Sequence, residues 1–433
     1  MLNEQFKQNN VNIVVVDEDE QKDPRQRIYQ KAFYQNYIVS QIDFSFLNAS
    51  YQAFTGGAVY FNPGINALIK VGTNDLLEDY KITGGMRMPL DFDSHEYLIS
   101  VENLKKRLNK QLIFHRQVFK NVIDESTYIK TYSHEFSLIM RYPFSQVTSW
   151  VRTISLRHDK TVYLTNTFNP ASALNEPNTY KVWAGIKLEY IFDNTRKLGI
   201  NLPAGTRYKI FGELYQQVND QFDNLVVLGA DFRNYLVLHR NLIFANRFAT
   251  STSFGSSKLI YYLGGVDNWT NFTPFKTPTF IPLSEIRIDE TANYVYQTVA
   301  TNMRGFSQNI RNGTNFALIN SEIRWPIISY FANYPLSSSF FENLQVIGFF
   351  DIGSAWSGTS PWSGKNAYDN DVIIRGSTME ITIDADRSPL VAGYGFGVRS
   401  QLLGYFIRLD WAWGIENMQV LPHIFYFSLS LDF

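Results

Sequence analysis

The side chains able to do chemistry are few, and they are poorly arranged for catalysis. The chain has no cysteine, which excludes a thiol nucleophile, a disulfide scaffold and a Cys-ligated structural zinc. Its six histidines are His95, His115, His134, His158, His239 and His423. A catalytic base needs an orienting partner within reach. In His95-Glu96 and His134-Glu135 the two neighbours point to opposite faces if the segments are strands. Neither an H-E-x-x-H zinc signature nor a G-x-S-x-G elbow occurs. Gly393-Tyr-Gly395-Phe-Gly397 superficially matches a phosphate-binding loop, but it lies inside an alternating strand with no helix after it. Those glycines read instead as room for a segment folded against the strand. The acidic loop Tyr368-Asp369-Asn370-Asp371, with Asp384 and Asp386, offers calcium-binding oxygens, yet a solvated loop accounts for the same residues. The reading is no enzyme, no cofactor and no metal.

The elements that must carry these residues follow from composition. The 433 residues include 45% hydrophobic and 16% aromatic side chains, with Tyr 26, Phe 34 and Trp 8. Only 18% are charged, against about 25% in a soluble domain. Mean hydropathy is −0.19, and no run approaches the ~18–20 apolar residues of a membrane helix. Lys+Arg 39 against Asp+Glu 40 leaves a net charge of −1, with no basic patch for nucleic acid. Strands that are apolar only at alternate positions reconcile these facts, with one face toward lipid and aromatic girdles at the interfaces.

Period-two alternation runs from about residue 35 to the end. Val182, Ala184, Ile186, Leu188, Tyr190 and Phe192 alternate with Lys181, Lys187 and Glu189. Tyr405, Ile407, Leu409, Trp411 and Trp413 alternate with Arg408, Asp410 and Ala412. The polar face carries charges of both signs and glycine, which suits a water-filled or plugged lumen. Counting such segments gives roughly sixteen strands, an even number as bacterial barrels require. Expected strands include 37–47, 145–157, 314–325, 344–353, 391–401, 404–414 and 423–433. Connections at 73–78, 105–109, 142–144, 239–240 and 402–403 are short, whereas 48–61, 158–180, 253–313 and 354–390 are long. That asymmetry is expected of periplasmic turns and extracellular loops. The fold expected is an all-β, transmembrane antiparallel β-barrel over 35–433. Residues 1–34, containing DEDEQKDPRQR over Asp17–Arg27, read as a charged linker. Met1-Leu-Asn-Glu-Gln-Phe-Lys-Gln has no apolar signal region, so an exported barrel with this start is expected to be a mature form or the C-terminal piece of a longer chain.

An ordered series of motifs occupies the last third. Leu263-Gly264-Gly265 precedes Met303-Arg304-Gly305-Phe306, followed by Ile319-Asn-Ser-Glu322-Ile-Arg324-Trp-Pro326 and Gly348-Phe-Phe-Asp351-Ile-Gly353. Gly393-Tyr-Gly395-Phe-Gly397-Val-Arg399 and Phe406-Ile-Arg408-Leu-Asp410 follow, and the chain closes on Phe433. This series resembles the BamA-type superfamily of bacterial surface antigens, whose members assemble or translocate proteins at outer membranes. The resemblance implies that 253–313 is a long sixth extracellular loop folded into the lumen. It implies that Arg304, with Gly305 and Phe306 and the preceding pair Gly264 and Gly265, latches onto Glu322 and Asp351 of the next two strands. The gap from Gly265 to Arg304 is longer than usual in the family, so Val266–Asn302 is expected to extend outside. Phe427, Leu429, Leu431 and Phe433 resemble the C-terminal signal by which assembly machinery recognises barrels.

The latch also has a physical basis without the family. A desolvated guanidinium left unpaired costs several kcal/mol, and its rigid fork suits two carboxylates on adjacent strands. Such a latch would also serve simply to pin a plug and stabilise the barrel. Expected partners are outer-membrane lipid, client or partner proteins and a larger complex or additional N-terminal domain, in the outer membrane of a Gram-negative bacterium. Nothing in the chain resembles the periplasmic modules through which family members receive substrates, and the final strand has no glycine. Those absences keep open a barrel that only anchors a domain or partner without processing a client, and after it a passive pore.

Overall fold

The computed structural model describes residues 32–433 apart from 44–46, 49, 55–65, 90–93, 123–126, 166–176, 220, 270–287, 290, 333–335, 364–365, 367–371, 376–379 and 384–386. Most of the expected linker, and the acidic loop residues 368–371, Asp384 and Asp386, lie outside the described residues. Among those described, no helix is long and apolar enough to cross a membrane.

Among the described residues, sixteen wall strands follow one another in a single antiparallel meander. They are β1 Phe33–Asp43, β2 Asn66–Asp75, β3 Tyr80–Pro89, β4 Glu96–Asn103, β5 Asn109–Val122, β6 Thr127–Pro143, β7 Thr148–Thr165 and β8 Thr179–Asp193. They continue as β9 Leu202–Gln217, β10 Asn224–His239, β11 Leu242–Phe254, β12 Asn315–Trp325, β13 Gln345–Trp356, β14 Val391–Leu402, β15 Tyr405–Glu416 and β16 Ile424–Leu429. Each pairs with the next, from β1 on β2 to β15 on β16. The sheet is not closed: among the described residues no ladder joins β1 to β16.

Alternation has the sense of a barrel with a polar interior. On β12, Ile319 and Ile323 are 45% and 46% exposed, while Asn320, Glu322 and Arg324 between and beside them are buried. Apolar side chains outside and charged ones inside reverse the soluble-protein rule. Cross-strand aromatic pairs reinforce the outer face: Tyr394 stacks on Trp413 and Phe396 on Trp411, each directly opposite in register. Connections at one end of the meander are mostly tight, such as Leu403-Gly404 between β14 and β15. The exception at that end is the β12–β13 connection, which carries two short helices, Ile327–Phe331 and Ser339–Glu342.

A second, four-stranded sheet is made by connections rather than wall strands. Its order is Arg311–Gly313, Lys258–Leu263, Tyr294–Val299 and Gln52–Ala53. The middle two run parallel, and Tyr296 and Gln297 meet Ala53 and Gln52. Leu259, Tyr261, Leu263, Val295, Tyr296 and Phe306 form its core with wall residues such as Trp183, Leu225, Val227 and Leu318. At its described C-terminal end the segment Val266–Asn302, expected to extend outside, lies inward, because Tyr294–Val299 is a strand whose first four residues are buried; residues 270–287 and 290 lie outside the described residues. The pairing partner available to Tyr296 and Gln297 is inside, so the segment returns inward. The connection after β1 also contributes a plug strand, which the alternation does not announce.

The final strand departs from expectation as well. Pairing stops at Leu429, not at residue 433. Leu431 is 53% exposed, whereas Phe433 is buried against Leu202, Tyr235, Ile243 and Ala245 of β9–β11. Asp432 explains the turn: it lies between Arg399 Nε at 3.0 Å and Arg408 Nε at 3.2 Å, both on the inner wall.

Candidate functional site

The site is built where the long connection between β11 and β12 crosses the inner faces of β12–β16. Gly264 and Gly265 adopt positive φ of 116° and 79°, a region costly for residues bearing a Cβ. A Cβ on Gly264 would stand 2.2 Å from the Ser307 carbonyl oxygen. Beside it, Met303 N–H donates to Gly265 O at 2.9 Å. The glycine pair therefore sits directly under the Met303–Ser307 turn and lets the two chain segments touch.

That turn presents Arg304 to the wall. Its Nε and Nη2 donate to the two oxygens of Asp351 on β13, each at 2.7 Å, and its backbone N–H donates to Asp351 Oδ2 at 3.2 Å. Its Nη1 donates to Glu322 Oε1 on β12 at 2.6 Å. The guanidinium carbon lies 3.7 Å from the Phe349 ring centroid. Burial works against the charged guanidinium, but Asp351 and then Glu322 outweigh it and hold Arg304 above its ordinary proton affinity. The other Glu322 oxygen accepts from Arg324 Nε at 2.9 Å, and Asn320 Nδ2 donates to Asp351 at 2.8 Å. Two guanidiniums and two carboxylates thus form a neutral, hydrogen-bonded group, the condition under which buried charge is tolerated.

The wall is shaped to receive the turn. Gly305 has φ of 93°, and its virtual Cβ would lie 2.6 Å from Gly414 N on β15. A Cβ on Gly393 of β14 would fall 1.9 Å from the Arg304 carbonyl oxygen. Gly393 and Gly414 make room for loop backbone, whereas a Cβ on Gly395 or Gly397 would meet atoms of the wall itself. Phe306 is buried beside Gly414. From β16, the Tyr426 hydroxyl accepts from Gly305 N–H at 2.9 Å and donates to Phe306 O at 2.8 Å.

The structure brings Arg304, Gly305, Phe306, Glu322, Asp351, Gly264 and Gly265 into one cluster. It leaves Phe427, Leu429, Leu431 and Phe433 elsewhere and not on a common face. Sequence reasoning missed Arg324 and Tyr426. Arg324 shares the inward parity of Glu322, two residues away, which is a readable signal. Nothing local marks Tyr426. A second missed group is Arg399, which donates to Asp410 at 2.8 Å and to Asp432, with Arg408 also near Asp432 and Asp267. Arg324 Nη2 donates to Phe433 O at 3.1 Å, so this group abuts the first. Among the described residues, no grouping of His, Asp and Glu could hold a metal ion.

No family model matches the sequence, and no curated protein matches it. Among solved structures, BamA from Haemophilus ducreyi lacking POTRA domains 1–3 is similar over 93% of this chain and 71% of that one, with 13% identity and a TM-score of 0.54. CdiB from Acinetobacter baumannii matches over 91% of this chain and 65% of that one, with 12% identity and a TM-score of 0.42. CdiB from Escherichia coli matches over 91% and 67%, with 10% identity and a TM-score of 0.46. The similarity to BamA covers 93% of the chain: this chain has the fold of a BamA-type barrel.

Proposed function

We propose that this chain is a protein assembly or translocation barrel of the outer membrane of a Gram-negative bacterium. The observation that carries the reading is the unclosed seam between β1 and β16. An edge strand offers unpaired N–H and C=O groups to a partner strand, which a barrel serving only as a pore has no use for. The Arg304 turn supports the same reading as a latch that fixes the loop to the wall beside that seam. The apolar outer face and aromatic pairs fit lipid, and a larger complex or an additional N-terminal domain would bring clients to the short-turn end.

Depleting the full-length protein, followed by quantitative proteomics of the outer membrane, tests this. Loss of many unrelated barrels together is the expected result. A second reading is a structural anchor for another domain or partner, favoured by a lumen filled from both the β1–β2 and the β11–β12 connections. Loss of no other barrel, with full function restored by the remainder of the protein on an unrelated barrel, would establish the anchor instead.

A further inference from the structure

The two edges of the seam differ in what covers them. From Phe33 to Gln41 strand β1 is exposed on both faces at every residue but Val39. On β16, Ser428 has two partners. Arg408 of β15 lies opposite it in the ladder, and Trp269 of the folded-in connection forms a separate antiparallel bridge to it. A strand residue can be bridged from only two sides, and β15 takes one. Trp269 therefore sits on the edge that a closed barrel would give to β1.

Three further contacts fasten this segment to the last two strands. The Trp269 ring packs edge-on to Tyr426 with centroids 4.6 Å apart. Val266 and Trp269 share one buried cluster with Tyr426, Phe349 and Ala412. Asp267, whose side chain is 53% exposed, pairs with Arg408 Nη1 at 3.1 Å and accepts from Asn302. The same Tyr426 grips Gly305 and Phe306 through its hydroxyl, so the segment and the Arg304 turn hold one short strand together.

We propose that Val266–Trp269 acts as a self-supplied strand segment on the free edge of β16, and that pairing of this edge with β1 or with an incoming strand requires its displacement. The attachment is small enough to be displaced. It has one backbone bridge, one buried ring and one ion pair whose carboxylate is half exposed. An incoming strand would offer several ladder bonds in exchange. Until then β1 is the open edge and β16 the guarded one. The inference concerns the seam used by the proposed function, but its test reads the resting protein with no client, so either can fail alone.

The absence of native cysteine lets paired cysteines report on the seam. In native membranes, Trp269→Cys with Ser428→Cys is expected to form a disulfide on oxidation, because bridged residues lie within disulfide range. Tyr37→Cys, Val39→Cys or Gln41→Cys, each with Ser428→Cys, is expected to crosslink poorly. These three β1 positions are opposite inward-facing residues of β2. Adding Trp269→Gly should raise the best of these β1–β16 yields at least threefold, whereas Trp269→Phe, which keeps a ring, should not. Asp267→Ala alters a half-exposed residue that the core does not need, and it should give a smaller rise in the same direction. Only protein that keeps the heat-modifiable gel mobility of a folded barrel is scored. A failed 269–428 crosslink, or β1–β16 yields unmoved by both Trp269→Gly and Asp267→Ala, would overturn the proposal.

Discussion

Two buried arginines hold the plug to different stretches of the wall, and they do so by different arrangements. Arg304 belongs to the plug, and its carboxylates Asp351 and Glu322 belong to the wall. Arg157 belongs to β7, as does its carboxylate Asp159, two residues away on the same face. The plug adds only neutral groups there. Tyr296 places its ring 4.5 Å from the guanidinium and its hydroxyl 3.2 Å from Asp159, and Tyr51 offers a carbonyl to Arg157 Nη1 at 2.6 Å. On the β7 side the wall is electrically complete by itself. On the β12–β13 side plug and wall complete each other, so the plug cannot leave without stranding charge in both.

The largest effect expected from this difference is in Arg304→Ala. It leaves Asp351 buried with Asn320 and the backbone N–H of residue 304 but no guanidinium, and removing one partner of a buried pair costs ~3–5 kcal/mol. The check is the urea concentration at which the folded, heat-modifiable band disappears. If stranded charge is the cause, Arg304→Met combined with Asp351→Asn should be more stable than Arg304→Ala alone, while Glu322 keeps Arg324. Equal loss in both would show that packing of the arginine stem matters more than its charge.

Next in size are two glycine replacements that compare the walls directly. At Gly393 an added Cβ meets the Arg304 carbonyl oxygen, which is backbone on a fastened turn. At Gly185, on β8, it meets Ser155 Oγ and the Tyr215 ring edge, both side chains able to shift. Gly393→Ala is expected to cost ~1–3 kcal/mol, the range for overpacking, and to loosen the plug as read by limited proteolysis. Gly185→Ala should leave the proteolysis pattern unchanged. Matching patterns would mean that the turn yields as easily as a side chain.

How much of this was legible in the sequence depends on the range of the interaction. The wall reads directly because burial on one face imposes a period of two. Expected strands at 314–325, 391–401 and 404–414 therefore differ from β12, β14 and β15 by no more than two residues at either end. The Arg304 cluster is legible through the resemblance carried by the ordered motif series, and Glu322 and Asp351 do lie on buried, inward positions. The plug is not visible in the same way. Gln52–Ala53 is too short for any period, and the parallel pairing of Lys258–Leu263 with Tyr294–Val299 leaves no local mark. The tail misleads because Leu429, Leu431 and Phe433 continue the strand pattern beyond the last pair. Only the capture of Asp432 by Arg399 and Arg408 turns it inward, and no local pattern names partners that far apart in the chain.

The smallest effect belongs to the β7 side and separates the two arrangements most cleanly. Tyr296→Phe removes one hydroxyl from Asp159 and keeps the ring over Arg157. Asp159 retains the Arg157 Nε on both oxygens, at 2.9 and 3.0 Å, and the Ser133 hydroxyl. The loss should therefore be that of one hydrogen bond, ~0.5–1.5 kcal/mol, well below Arg304→Ala on the same urea scale. A loss as large as that of Arg304→Ala would mean that the β7 pair depends on the plug after all. In that case both walls would be completed by the plug, and its release would carry the same electrostatic cost on either side.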